Sequence, residues 1–93
     1  MPGLPPTRAA LNARLDHLRS RLQALKEAFH DEGTRKSCDA ELRDLRHISL
    51  LITHLHAPGS LRVISAMLDA RTERIERLAG LLDRQGPRSK AAR

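Results

Sequence analysis

Aromatic residues are nearly missing from this sequence of 93 residues, in which Phe29 is the single aromatic side chain. Sheets usually draw on aromatic and β-branched side chains, so this shortage argues against a β fold. Hydrophobic residues are 40% of the chain and are mostly leucine, alanine and isoleucine, which interdigitate well between helices. The composition therefore predicts an all-α protein.

Cysteine is equally scarce, because Cys38 is the only one and an intramolecular disulfide needs two. A lone thiol fits a reducing compartment, so we expect a cytoplasmic protein. The sequence has no apolar run near the roughly 20 residues that a membrane span requires. It also has no phosphate-binding glycine loop, zinc-protease motif or nucleophile elbow. We therefore expect no enzyme, no catalytic residue and no cofactor.

Apolar residues recur at alternating steps of three and four along three stretches, which is the spacing of a seam on one helix face. The first seam contains Leu11, Leu15, Leu18, Leu22, Leu25 and Phe29. The second contains Leu42, Leu45, Ile48 or Ser49, Ile52 and Leu55. The third contains Leu61, Ile64, Leu68, Arg71, Ile75, Leu78 and Leu82. Three such helices joined by short turns predict an antiparallel three-helix bundle, or a helical hairpin plus a third helix, with coiled-coil-like seams.

Capping and breaking residues set the predicted bounds of the helices. Thr7 is the expected N-cap of the first helix and Gly33 its end, and Thr34 or Ser37 caps the second. Adjacent proline and glycine residues stop the second and third helices. The sequence predicts a disordered segment 1–6, one helical domain over 7–86 with helices at about 7–32, 37–56 and 60–85, and a flexible basic tail 87–93.

The charges beside the seams predict which helices pair. The first helix carries basic flanks and the second begins with acids, so these two helices should form a hairpin with Lys26 near Glu41. Arg71 is the one charged residue on an apolar seam. We expect it to extend its charged end into water rather than to pair with Asp44 or Glu41, because burying an ion pair has a desolvation cost.

The segment 19–28, which reads RSRLQALKEA, is followed by Cys38 and by the first leucines of the second seam. This arrangement resembles the first two helices of small copper- or formaldehyde-responsive repressors. The resemblance implies a helical oligomer with a working cysteine at the start of its second helix. It covers less than half of the chain, and the later histidine and second cysteine of those repressors have no counterpart at matching positions. It therefore assigns no family.

Metal and thiol chemistry find little support in the sequence. His47 and His54 lie seven residues apart, about 10 Å along a helix, which is too far for both to bind one ion. We therefore assign no metal ligand. Cys38 lies at the predicted start of the second helix, where the helix dipole would lower the pKa of its thiol.

The absence of catalytic motifs and the three seams favour a protein-protein interaction or assembly module, such as an adaptor, a chaperone-like protein or an oligomerisation factor. Its expected partner is another helical protein or a second copy of itself. Leu50, Leu51 and Leu55 are the expected interface residues, since the apolar face of the second helix is unusually broad.

The net charge of +6 supports an alternative, a small basic helical regulator that binds nucleic acid. Its phosphate contacts would be Arg14, Arg21, Arg35 and Lys36. A metal- or thiol-responsive version of this regulator would add Cys38 and His47 or His54.

Overall fold

The three leucine seams lie on three long helices, which pack into an all-α three-helix bundle, as predicted. The structure is a computed structural model that describes residues 6–85. Helix α1 spans Arg8–Ala28, α2 spans Glu32–His54 and α3 spans Pro58–Gln85, and the described residues contain no strand. The predicted N-terminal segment, apart from Pro6, and the predicted basic tail lie outside the described residues.

The order of the ion pairs along the chain shows how the helices run. Arg14 of α1 pairs with Asp69 of α3, and Arg21, further along α1, pairs with Glu76, further along α3. Helices α1 and α3 therefore run in the same direction. Three-residue connections at 29–31 and 55–57 turn the chain back twice, so that α2 lies antiparallel to both.

Thr7 is the N-cap of α1, since its hydroxyl oxygen accepts a hydrogen bond of 3.0 Å from the backbone N–H of Ala10. At the other end the backbone N–H of Phe29 donates to the carbonyl of Leu25 at 3.1 Å. The helix ends at Ala28, four residues before the predicted end. The structure thus keeps the predicted cap and shortens the helix.

The turn between α1 and α2 differs most from the sequence prediction. Helix α2 begins at Glu32, five residues before its predicted start, and places Gly33 in its first turn. Asp31 is the N-cap, because its carboxylate accepts from the backbone N–H of Thr34 at 2.8 Å and from the Thr34 hydroxyl at 2.7 Å. A charged N-cap satisfies helix-end N–H groups directly, which outweighs the preference for ending a helix at glycine.

The core lies between the three helices and is built almost wholly from the predicted seams. Burying each leucine or isoleucine side chain stabilises the fold by about 1.5–3 kcal/mol before the entropy cost is counted. Within residues 6–85, no helix is both long enough and apolar enough to cross a bilayer. The buried apolar side chains are Leu11, Leu15, Leu18, Leu22, Leu25, Phe29, Cys38, Leu45, Ile48, Ile52, Leu61, Ile64, Leu68 and Ile75.

Two predictions about charges were wrong. Lys26 contacts Asp39, with 2.6 Å between Nζ and Oδ1, instead of Glu41, because Glu41 lies on the side of α2 that faces α3. Arg71 does not extend into water. Its Nη1 donates to Glu41 Oε1 at 3.0 Å and to Asp44 Oδ2 at 2.8 Å, so two carboxylates offset the desolvation of one guanidinium.

Candidate functional site

All three large apolar side chains that are exposed within residues 6–85 lie at one end of the bundle. Leu50 is 54% exposed, Leu55 is 38% exposed and Val63 is 61% exposed. Leu51 lies in the same segment, partly buried and packed against the core. We call these four residues the apolar corner. They flank the turn between α2 and α3, so they share one end of the molecule.

The sequence predicted three members of the apolar corner as interface residues, and the structure places these three at the end of α2 and its C-cap. Leu50 lies on the outer face of α2, since the buried residues of that helix follow a different stripe. Leu55 is the C-cap, and its backbone N–H donates to the Leu51 carbonyl at 2.8 Å. Val63 was missed. Its position could have indicated this, since Val63 lies between two seam residues of the third helix but not on the seam, so its side chain is exposed.

The apolar corner lies at an end of the bundle that has no acidic side chains. Arg8 Nε donates to the carbonyl of Ile52 at 3.0 Å, and Arg8 Nη2 donates to that of Thr53 at 3.4 Å. These bonds join the start of α1 to the end of α2, so the stretches 6–15 and 45–68 meet here. Neither stretch contains Asp or Glu, although the chain has 11 of these residues. The apolar corner therefore has only neutral and basic surroundings.

A groove between α2 and α3 adjoins the apolar corner. It has a volume of about 300 Å³ and is lined by Asp44, His47, Ile48, Met67, Ala70 and Arg71. Ile48 and Met67 give its floor an apolar character, while the Asp44–Arg71 pair closes one end with satisfied charges. The groove extends the contact area that the apolar corner offers.

The acids in the middle of α2 all turn toward the other helices. Asp39 pairs with Lys26 of α1. Glu41 is buried, with 7% of its surface exposed. Its carboxylate accepts hydrogen bonds from Arg71 and Arg74 of α3, each at 3.0 Å. Asp44 also accepts from Arg71. Each negative charge of this part of α2 is thus paired with a cation of α1 or α3, and Glu41 is the one that is buried.

The basic residues of α2 stay outside. We call Arg35, Lys36, Arg43 and Arg46 the outer basic stripe; all four are exposed, and within residues 6–85 none of them has an ion pair. They follow the exposed face of α2 after Glu32. The sequence analysis named Arg35 and Lys36 as phosphate contacts and missed the other two. Their signal is helical spacing, since Arg43 lies seven residues after Lys36 and Arg46 lies three residues after Arg43.

The other two predicted phosphate contacts are engaged within the bundle. Arg14 donates to Asp69 Oδ1 at 2.5 Å and to the Ser65 hydroxyl at 3.1 Å. Arg21 pairs with Glu76. Both therefore hold α1 to α3, and the structure does not bring them together with Arg35 and Lys36.

The Cys38 thiol is fully buried in the core. Burial raises its pKa above the ordinary value of 9.0, and the nearby Asp39 carboxylate adds to this effect. The expectation that the helix dipole lowers this pKa was wrong, because α2 begins six residues before Cys38 and the thiol is out of reach of water. A neutral, enclosed thiol is poorly suited to sensing.

Metal ligation has no candidate centre in residues 6–85, where no group of three or more His, Cys, Asp or Glu side chains is placed to hold an ion. His47 and His54 are both exposed on α2, seven residues apart. The surface features that remain for function are the apolar corner and the outer basic stripe.

Comparison of the chain with protein-family models, with curated proteins and with solved structures finds no match.

Proposed function

We propose that this protein is an interaction module, an adaptor or assembly factor that acts by binding and not by catalysis. Its binding surface is the apolar corner, and its partner is an acidic amphipathic helix of another protein. One observation carries the proposal. The three large apolar side chains exposed within residues 6–85 all lie at the one end of the bundle that has no carboxylates.

Two residues of the apolar corner, Leu50 and Val63, have no evident role in folding. The core is complete without Leu50 and Val63, which remain more than half exposed beside a continuous set of buried residues. Single exposed apolar residues are common on protein surfaces, whereas clustered ones mark binding sites. Covering the exposed half or so of Leu50 and Val63 would contribute about 1–2 kcal/mol each to binding, before the costs of association.

The charge around the apolar corner selects the kind of partner. Arg46, His47 and His54 lie close to Leu50 on the outer part of α2, and no acid lies between Asp44 and Asp69 in the sequence. Two copies of the chain meeting at this end would bring basic residues against the same basic residues. An acidic partner complements this surface, so charge favours a different protein over a second copy.

The shape of the surface favours a helix as the bound element. The groove beside the apolar corner runs between two neighbouring helices, α2 and α3, and Leu50 flanks it on the outer face of α2. An amphipathic helix can place its apolar residues in such a groove and its acidic residues beside the flanking basic groups. A reducing, cytoplasmic setting is part of the proposal, because the one cysteine is a buried free thiol.

A capture experiment with matched variants tests the proposal. The tagged full chain, the double variant Leu50→Ser/Val63→Ser and the control Ala13→Ser/Ala24→Ser are each used to capture proteins from an extract of the source organism. All four positions are exposed, so the folds should be equal. A protein retained by the full chain is then purified, and its affinity for each form is measured by calorimetry.

We expect the partner to bind the full chain and the alanine control with equal affinity. It should bind the Leu50/Val63 variant at least about tenfold more weakly, which corresponds to a loss of about 1.4 kcal/mol of binding free energy. Removing an acidic helical segment from the partner should have the same effect. Equal affinity for the two double variants would place the binding surface elsewhere and refute the proposal.

A further inference from the structure

We infer that the outer basic stripe is a second binding site, which takes the phosphate backbone of duplex nucleic acid without regard to sequence. The stripe lies earlier on α2 than the apolar corner, with Arg46 one helical turn before Leu50, and the inference does not depend on the proposed function. It also replaces the phosphate contacts predicted from the sequence, of which Arg14 and Arg21 are engaged with α3.

The stripe is basic because of how the bundle sorts charge, not only because the chain is basic. Along the middle of α2, Asp39, Glu41 and Asp44 are each held by a cation of α1 or α3. The basic side chains of the same helix have no carboxylate partner within residues 6–85. Asp39 and Asp44 stay about half exposed, but each is paired, so the unpaired charges along the middle of α2 are all basic.

The geometry of the stripe suits a repeating polyanion. From Arg35 to Arg46 the stripe extends roughly 16 Å along α2, at 1.5 Å per residue. Duplex DNA carries about one negative charge per 1.7 Å of its axis, so several phosphates lie within reach of four long cationic side chains. The exposed residues between the two halves of the stripe are Ser37 and Ala40, which are small. The Asp39 carboxylate between them is 45% exposed and is neutralised by Lys26.

The composition of the stripe favours nucleic acid over an acidic protein at this face. Stable protein interfaces rely on buried aromatic or large apolar anchors, and the stripe contains none between Arg35 and Arg46. Helix α2 has no Asn or Gln, which together with Arg are the usual side chains for reading base edges. Contacts to phosphate alone position a protein on a duplex and do not read its sequence.

The test measures binding of the full chain to a fluorescein-labelled DNA duplex of about 20 base pairs, by anisotropy across a salt series. Four phosphate contacts predict a slope of log affinity against log salt of about −3.6, which is about a 150-fold loss between about 50 and 200 mM salt. The double variant Arg43→Gln/Arg46→Gln should halve the slope to about −1.8.

The control Arg77→Gln/Arg84→Gln removes two exposed cations from α3 and lowers the net charge equally, from +6 to +4. It should keep at least about three quarters of the wild-type slope. An equal loss in both double variants would show that net charge alone drives binding and would refute the site. A wild-type slope shallower than about −1 would refute it as well.

Unlabelled polyglutamate at the same concentration of charge serves as the competitor. We expect it to displace the duplex poorly. Displacement as effective as that by unlabelled duplex would assign the stripe to acidic proteins and overturn the inference. The Leu50→Ser/Val63→Ser variant should bind the duplex like the full chain, which separates this site from the apolar corner.

Discussion

The Arg71 guanidinium donates to the Glu41 carboxylate between α3 and α2, with 3.0 Å between Nη1 and Oε1. Glu41 is the buried charged residue of residues 6–85, and Arg71 occupies a position that the seam spacing assigns to an apolar residue. Arg74 also donates to Glu41, and Asp44 also accepts from Arg71. This network sets the register of α3 against α2 while the leucines supply most of the stability.

Replacing Glu41 by Gln should therefore destabilise the fold. The change leaves the Arg71 charge half-buried with only Asp44 as a partner. Breaking a buried pair costs about 3–5 kcal/mol, but Arg71 and Arg74 are partly exposed, so we expect about 1–3 kcal/mol. Guanidinium unfolding followed by far-UV circular dichroism measures the difference. The double variant Glu41→Leu/Arg71→Leu should recover to within about 1 kcal/mol of wild type. A double variant less stable than Glu41→Gln would contradict this account.

Acid should weaken the N-cap of α2. The Thr34 side chain, and after it the Thr34 backbone N–H, lower the pKa of Asp31 below its ordinary value of 3.8. The folded state thus favours the carboxylate. Its stabilising contribution is fully present above the unfolded pKa of about 4 and is lost as pH falls through the lowered folded value. Thermal unfolding of Asp31→Ala should differ most from wild type near neutral pH and least in acid. Asp31→Asn, which keeps a cap without a titrating group, should lose this pH dependence. A difference between wild type and Asp31→Ala that is the same at every pH would be inconsistent with this cap.

Gly80→Ala should stabilise the protein by about 0.5–1 kcal/mol, because alanine loses less conformational entropy than glycine when a helix forms. A Cβ atom added at Gly80 meets nothing within 4 Å. Gly33→Ala is the comparison, since its Cβ would lie 3.3 Å from Asp31 Oδ2 and disturb the N-cap. Gly33→Ala should therefore gain less stability than Gly80→Ala. A larger gain at Gly33 than at Gly80 in chemical unfolding would argue against these placements.

Removing the apolar corner should leave stability unchanged. Leu50→Ser and Val63→Ser alter exposed side chains, so each should change the free energy of unfolding by less than about 0.5 kcal/mol. Leu68→Ala, which truncates a fully buried side chain, should cost about 2–5 kcal/mol. Thermal and guanidinium unfolding of the three variants measure this contrast. A corner variant as unstable as Leu68→Ala would make the corner part of the core and not a binding surface.

The seam spacing was sufficient to predict the fold class and nearly all of the core, because a period of three and four places leucines on one face whatever their neighbours are. The boundary between α1 and α2 was not predictable in the same way. Gly33 and Asp31 both suit a helix end, and the choice between them depends on the hydrogen bonds that Asp31 makes to Thr34.

The candidate sites were predicted in part. The proposed interface residues on α2 followed from the breadth of its apolar face, whereas Val63 joins them only when α3 folds back beside α2. The outer basic stripe needed the structure, because the sequence does not show that Asp39 and Glu41 turn toward different helices. Arg71 was misjudged for the same reason, since two carboxylates reach it from the preceding helix.

The central claim is that one chain completes the bundle and leaves the apolar corner open for a different protein. Light scattering with refractive-index detection tests it most directly, since the chain has no Trp or Tyr for absorbance measurements. The account predicts a mass of 10.4 kDa that does not change with concentration. A mass of twice that value, restored to 10.4 kDa by Leu50→Ser/Val63→Ser, would show that a second copy occupies the corner and would contradict the claim.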